Sequence, residues 1–158
     1  MSNAVDLNPK DYVSALEILK KIDFLSGVSE DELKDILFSL QKQTFEPART
    51  ILFQGEIANR LFIISKGSVS ITTKSKGSKI NLAELNTNNY FGEISLLTPT
   101  SATATATAGS DGAELIILTH DSMTRLSKRI PDIQSRIKQV IDLRIASKNK
   151  AKEAEETA

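Results

Sequence analysis

Phe91-Gly92-Glu93-Ile94-Ser95-Leu96-Leu97-Thr98-Pro99-Thr100-Ser101-Ala102-Thr103-Ala104 decides how this 158-residue chain is read. An aromatic residue and a glycine precede a short segment, acidic first and then largely apolar, that suits one brief turn of helix. A carboxylate at the first turn is favoured by the helix dipole, and a glycine before it leaves the backbone donors of that turn open to close approach. After Pro99 the chain opens toward a strand. From Thr103 to Ala108 threonine and alanine alternate, the β-branched residue suiting a half-exposed pleated surface and alanine a crowded interior. No basic residue occurs between Phe91 and Leu118.

Working outward, two helices precede everything else. Asn8-Pro9 is a helix start, with asparagine able to accept from an orphan N–H and proline pre-set for the first turn. Tyr12, Ala15, Leu16, Leu19 and Ile22 then recur at helical spacing. Ser29-Glu30-Asp31-Glu32 is a capping box in front of the stripe Leu33, Ile36, Leu37 and Leu40. From Thr44 the period shortens. Phe45, Ile51 to Phe53, Leu61 to Ile64, Val69, Ile71, Ile80, Leu82 and Leu85 sit in short segments broken by Pro47, Gly55, Gly67, Gly77 and Asn86-Thr87-Asn88-Asn89. Short strands with turn chemistry between them indicate a sandwich or barrel. Thr103 to Ala108 and Leu115 to Leu118 are two further expected strands, separated by a turn at Gly109-Ser110-Asp111-Gly112. Thr119 then caps a helix through Ile130, and Pro131 opens another.

Composition narrows the function. Twenty basic and twenty acidic residues cancel, so no global field steers the chain to nucleic acid or an anionic membrane. Without cysteine there is no disulfide framework, thiolate metal site or cysteine nucleophile, which suits a reducing compartment. The N-terminus lacks a signal pattern and no apolar run approaches the roughly 20 residues of a bilayer span, so a cytoplasmic protein is expected. The expected division is an N-terminal helical segment over 1–23, one domain over 24–147 and a flexible charged tail over 148–158.

The opening stretch resembles the phosphate-binding cassette of cyclic-nucleotide-binding domains, the family of catabolite-activator-type regulators, kinase regulatory subunits and gated channels. Phe53-Gln54-Gly55-Glu56-Ile57-Ala58-Asn59-Arg60-Leu61-Phe62-Ile63-Ile64-Ser65-Lys66-Gly67-Ser68-Val69 resembles that family's strand-turn-strand signature. The resemblance implies a mainly β, α+β fold: a sandwich or jelly roll flanked by N-terminal helices and C-terminal hinge helices. It also implies ligand roles. Glu93 would accept from a ribose hydroxyl, and Ile94 and Ser95, after Gly92, would offer backbone donors to a cyclic phosphate.

The family's phosphate-pairing arginine falls on Ala102, between Ser101 and Thr103. A guanidinium meets two phosphate oxygens with charge and geometry together, and a methyl group supplies neither. Losing such a partner costs about 2–5 kcal/mol, or about 30-fold to several thousandfold in affinity. Hydroxyls of Ser101, Thr103 and Thr105 compensate only in part, and Arg49, Arg60 or Lys66 would have to arrive from another strand.

Other chemistry finds little support. His120 is the sole histidine, which rules out a two-histidine metal site, and Thr119-His120-Asp121-Ser122 is better explained by capping than by a triad. There is no EF-hand spacing and no Walker-type lysine. Ile133, Ile137, Val140, Ile141 and Ile145 share a helix face suited to a protein partner, a second copy or the chain's own sandwich. The expectation is a stand-alone, non-catalytic regulatory module without cofactor or metal. It acts through protein contacts, possesses no nucleic-acid surface, and binds cyclic AMP or GMP weakly or not at all. The alternative is a small-molecule sensor that holds a cyclic nucleotide or another phosphate through Glu93 and an unconventional anion cradle.

Overall fold

Local signals at the N-terminal end act as the sequence indicates. The computed structural model of the chain describes residues 3–26, 28–140 and 142–143. A short strand β1 (Val5–Asp6) leads to α1 (Pro9–Lys20), where the Asn8 side chain accepts from the Lys10 amide and the Asp11 carboxylate accepts from the Asn8 amide. A 3₁₀ turn at Asp23–Leu25 follows, then α2 (Glu30–Phe38), capped reciprocally by Ser29 and Glu32. These caps satisfy donors that a helix start would otherwise leave open.

The strands are β2 (Gln41–Phe45), β3 (Thr50–Leu52), β4 (Ile57–Ala58), β5 (Arg60–Ser75), β6 (Ser78–Leu85) and β7 (Tyr90–Phe91). Helix α3 (Glu93–Leu97) comes next, then β8 (Thr100–Ser101), β9 (Thr105–Thr119) and α4 (His120–Arg129). Residues 133–140 form a further helix, α5. The main sheet runs β1-β2-β9-β5-β6, with β3 against β9 and β7 against β5, while β4 and β8 form a separate antiparallel pair. This is the expected mainly β fold with flanking helices.

Two apolar runs organise it. Leu61 to Ile64 of β5 pair with Leu118 to Leu115 of β9, and alternation sends successive side chains to opposite faces. Leu61, Ile63, Ile116 and Leu118 join the helices in one core, which includes Ala15, Leu19, Leu33, Ile36, Leu96, Met123, Ile133 and Ile137. Phe62, Ile64, Leu115 and Ile117 join Ile51, Leu52, Val69, Ala106 and Ala108 in a second core inside the sandwich. Both runs are continuously apolar because both faces are buried. The alanines of the Thr/Ala repeat face inward as expected, with Ala106 2% and Ala108 3% exposed.

Two expectations require correction. The segment 109–112 is no turn between strands, since β9 continues through it from Thr105 to Thr119. Gly67 likewise lies inside β5, at φ +82, where a Cβ would collide with the Gly112 carbonyl oxygen. The two long strands change register between Ile64 and Lys66 and again between Gly67 and Val69, so the sheet bends there without a break. The apolar positions Phe53, Ile80 and Leu82 are exposed.

Asp11 ties α1 to the sheet. Its carboxylate accepts from Lys42 Nζ of β2 at 3.0 Å. That hydrogen bond, helped by the Asn8 amide and opposed by partial burial, holds the Asp11 carboxyl below its ordinary pKa. A depressed folded-state value stabilises the fold above the unfolded value and ceases to do so as the pH falls through the folded one. Comparing urea unfolding of the chain and Asp11→Asn should therefore show a stability difference that is full above roughly pH 5 and shrinks below about pH 4.

Candidate functional site

The cassette begins where β7 ends. Phe91 stacks on Phe62 of β5 with centroids 4.9 Å apart and planes 17° from parallel, which fixes the entry of the following turn. Gly92 adopts φ +87, and a Cβ there would collide with the Arg60 carbonyl oxygen. Glycine is thus required twice, by the left-handed backbone and by the close approach of β5. Helix α3 follows, with Glu93 and Ser95 buried at 7% and 6% exposure and Leu96 fully buried. Ile94 lies within the same helix.

The second half of the cassette is held by its backbone. Strand β8 pairs with β4, Ser101 opposite Ile57 and Thr100 opposite Ala58. The Ala102 amide donates to the Glu56 carbonyl and its carbonyl accepts from the Gly55 amide, both at 2.8 Å. The Ala102 methyl packs half-buried against the inner core, whereas Ser101 and Thr103 are exposed on either side of it. The Thr105 hydroxyl accepts from the Gln54 amide at 2.9 Å. The two segments that carry the sequence signatures, 53–58 and 91–105, are therefore brought together.

The three candidate cations separate clearly. Arg49 is exposed, 3.9 Å from Glu46, and Lys66 is exposed, 4.0 Å from Glu114. Arg60 alone lies by the cassette: its guanidinium sits 4.9 Å from the centroid of Phe62, on the same strand face as Phe62 and Ile64.

The site is wired to the hinge through His120. Its Nδ1 lies 2.6 Å from the Leu96 carbonyl oxygen, and since a carbonyl only accepts, Nδ1 carries the proton. Its backbone amide donates to the Asn59 carbonyl at 2.8 Å. Ser122 meanwhile accepts from Arg125 through its hydroxyl, so residues 119–122 do not converge as a triad. In the sequence His120 reads only as a capping-region residue; that it is the sole histidine, placed just after an apolar strand run, was the available signal for this link.

The face Ile133, Ile137 and Val140 is turned into the chain's own core, Ile133 and Ile137 being fully buried. A partner reaches it only if α5 leaves that core. Ile141 and Ile145 lie outside the described residues.

Residues 42–129 match the family described as cyclic nucleotide-binding domain, and the chain belongs to it. A relative is the cGMP-dependent protein kinase, isozyme 1, of Drosophila melanogaster, 30% identical over 116 residues, a match that covers 72% of this chain and 15% of the kinase. The fold matches a crystal structure of a cyclic nucleotide-binding domain from Methylobacillus flagellatus KT with a TM-score of 0.77 at 19% identity, over 92% of this chain and 84% of that one. It also matches the regulatory subunit of a cAMP-independent protein kinase A from Trypanosoma brucei, with a TM-score of 0.68 at 24% identity over 82% of this chain and 48% of that one.

His120→Ala removes the side-chain link from α4 to the end of α3. Amide hydrogen exchange in residues 92–97 should quicken by about fivefold, the equivalent of one ordinary hydrogen bond of about 1 kcal/mol. Unchanged exchange there would show that the link carries no coupling.

Proposed function

We propose that this chain is a non-catalytic regulatory module of the cyclic-nucleotide-binding family whose cassette keeps its shape but lacks the charge to hold cyclic AMP or GMP tightly. It acts through contacts with other proteins. The observation that carries this is Ala102: the backbone at the arginine position is tied to Gly55 and Glu56, and the side chain there is a methyl group. A cyclic phosphate leaving water at that point would meet hydrogen-bond donors without a formal positive charge, and anion burial without such a partner is costly. The same fold serves the regulatory subunit of a cAMP-independent kinase, which supports regulation without that ligand. The moving part is the hinge, because α3, α4 and α5 share one core.

A second reading is favoured by one observation, the position of Arg60 over Phe62 beside the cassette. Arg60 would then supply from β5 the charge that position 102 lacks, and the chain would sense a phosphate ligand through Arg60 and Glu93.

Calorimetric titration separates the two. The unaltered chain should give no saturable heat with cyclic AMP or cyclic GMP below about 1 mM, while Ala102→Arg should tighten binding by about 30-fold or more. Saturable micromolar binding by the unaltered chain would overturn the first reading. In that event Arg60→Gln should weaken binding by about 30-fold or more if Arg60 is the substitute cation.

A further inference from the structure

The hairpin that joins β5 to β6 breaks two local rules. Lys74 and Lys79 stand directly opposite each other across the strands, a like-charge pairing that destabilises a sheet. The connecting residues, Lys76 at φ +53 and Gly77 at φ +81, both take positive φ. A two-residue turn of that kind favours asparagine, aspartate or glycine at its first position, and lysine is a costly occupant. The surrounding sequence does not offset the charge, since residues 57–83 contain five basic residues and no acidic one. Of these five, Arg60 lies over Phe62 and Lys66 near Glu114. Among the described residues, the side chains of Lys74, Lys76 and Lys79 form no ion pair.

These lysines stand at the end of a sheet edge. β6 closes the strand order and pairs with β5 alone among the described residues, so its far side presents backbone donors and acceptors. Five of its eight residues from Ser78 onward are exposed in succession. Ile80 and Leu82 belong to that stretch, 45% and 56% exposed. Lysine is a known guard against edge-to-edge pairing, yet a guard needs neither the opposed pair nor a strained turn position.

We propose that β6 is a docking edge for an extended, acidic polypeptide segment. The segment adds as a further strand, sets its carboxylates toward Lys74, Lys76 and Lys79, and covers Ile80 and Leu82 with apolar side chains. A second copy of β6 fits less well, because residues 74–85, the hairpin end and β6, carry a single carboxylate, Glu84, against the three lysines Lys74, Lys76 and Lys79. The proposal does not depend on what the cassette holds.

The test uses a fluorescein-labelled peptide of alternating sequence, EVEVEVTV, and its charge-reversed counterpart KVKVKVTV. Anisotropy should show saturable binding of the acidic peptide below about 1 mM, about tenfold or more tighter than the basic one, and weakening about tenfold between 50 and 200 mM salt. Amide exchange should slow along residues 78–85 when the acidic peptide is bound. Lys76→Asn combined with Lys79→Glu relieves both local costs, so the variant should melt at a higher temperature while its affinity for the acidic peptide falls about tenfold or more. A merely structural role would not move stability and binding in opposite directions. The proposal is overturned by absence of saturable binding, by unchanged affinity in the double variant, or by absence of protection along β6. It is equally overturned if β6 is instead protected in a concentration-dependent dimer, or if phosphatidylserine vesicles bind the hairpin more tightly than the peptide does.

Discussion

The antiparallel pairing of β5 with β9 is the constraint on which the rest of the molecule depends. Residues 61–64 and 115–118 are apolar at every position because each strand is covered on both faces, by helices on one side and by the rest of the sandwich on the other. A one-residue slip in this register would exchange the two faces, which places Phe62 among the helices and Leu61 inside the sandwich. The same two strands set the functional parts. The start of β5 supplies the Arg60 carbonyl against which Gly92 packs, and the end of β9 supplies Thr119, whose hydroxyl caps α4. Cassette and hinge are thus anchored on neighbouring residues, since Arg60 and Thr119 are paired across the sheet.

That proximity gives a physical route from cassette to hinge. Leu96 of α3 is buried in the core that holds Met123 and Leu126 of α4 and Ile133 and Ile137 of α5. A close-packed core transmits displacement, and a void opened by withdrawing one large aliphatic side chain typically costs about 2–5 kcal/mol. Helix α3 therefore cannot move far without α4 following or a cavity forming. His120 adds a directional link to this nonspecific one, its ring holding Leu96 and its amide holding Asn59.

The parts of the structure that local chemistry specifies were legible in the sequence. Asn8, Ser29 and Thr119 act as caps because a side-chain oxygen at a helix start needs only its own next few residues. The buried faces of α1 and α2 followed from their helical period, whereas β5 and β9 showed themselves as the continuously apolar runs 61–64 and 115–118. What period could not convey was whether a glycine ends a strand or bends it. Gly67 and Gly112 look like turn residues until they are seen to meet each other across β5 and β9, which is a property of pairing between residues 45 apart. The exposure of Ile80 and Leu82 was hidden for a related reason, since an edge strand and an inner strand can carry the same residues. In the candidate site, the membership of residues 91–105 in one segment and the alanine at position 102 could be read directly. The approach of Arg60 could not, because a strand's start and a distant turn become neighbours only through the fold.

The shape of the segment 91–105 is independent of the side chain at 102, because backbone contacts and other residues set it. The backbone at 102 is fixed by Gly55 and Glu56, that at 92 by φ and the Arg60 carbonyl, and the aromatic pair Phe62–Phe91 by stacking. None of these interactions involves a side chain at 102. An arginine there would add nothing to the local fold except where an anion answers it, and a buried guanidinium without a counter-charge would be a liability. A half-buried alanine against the inner core avoids that cost. By the same accounting, Arg60 beside the cassette is kept where an aromatic face partly compensates its desolvation.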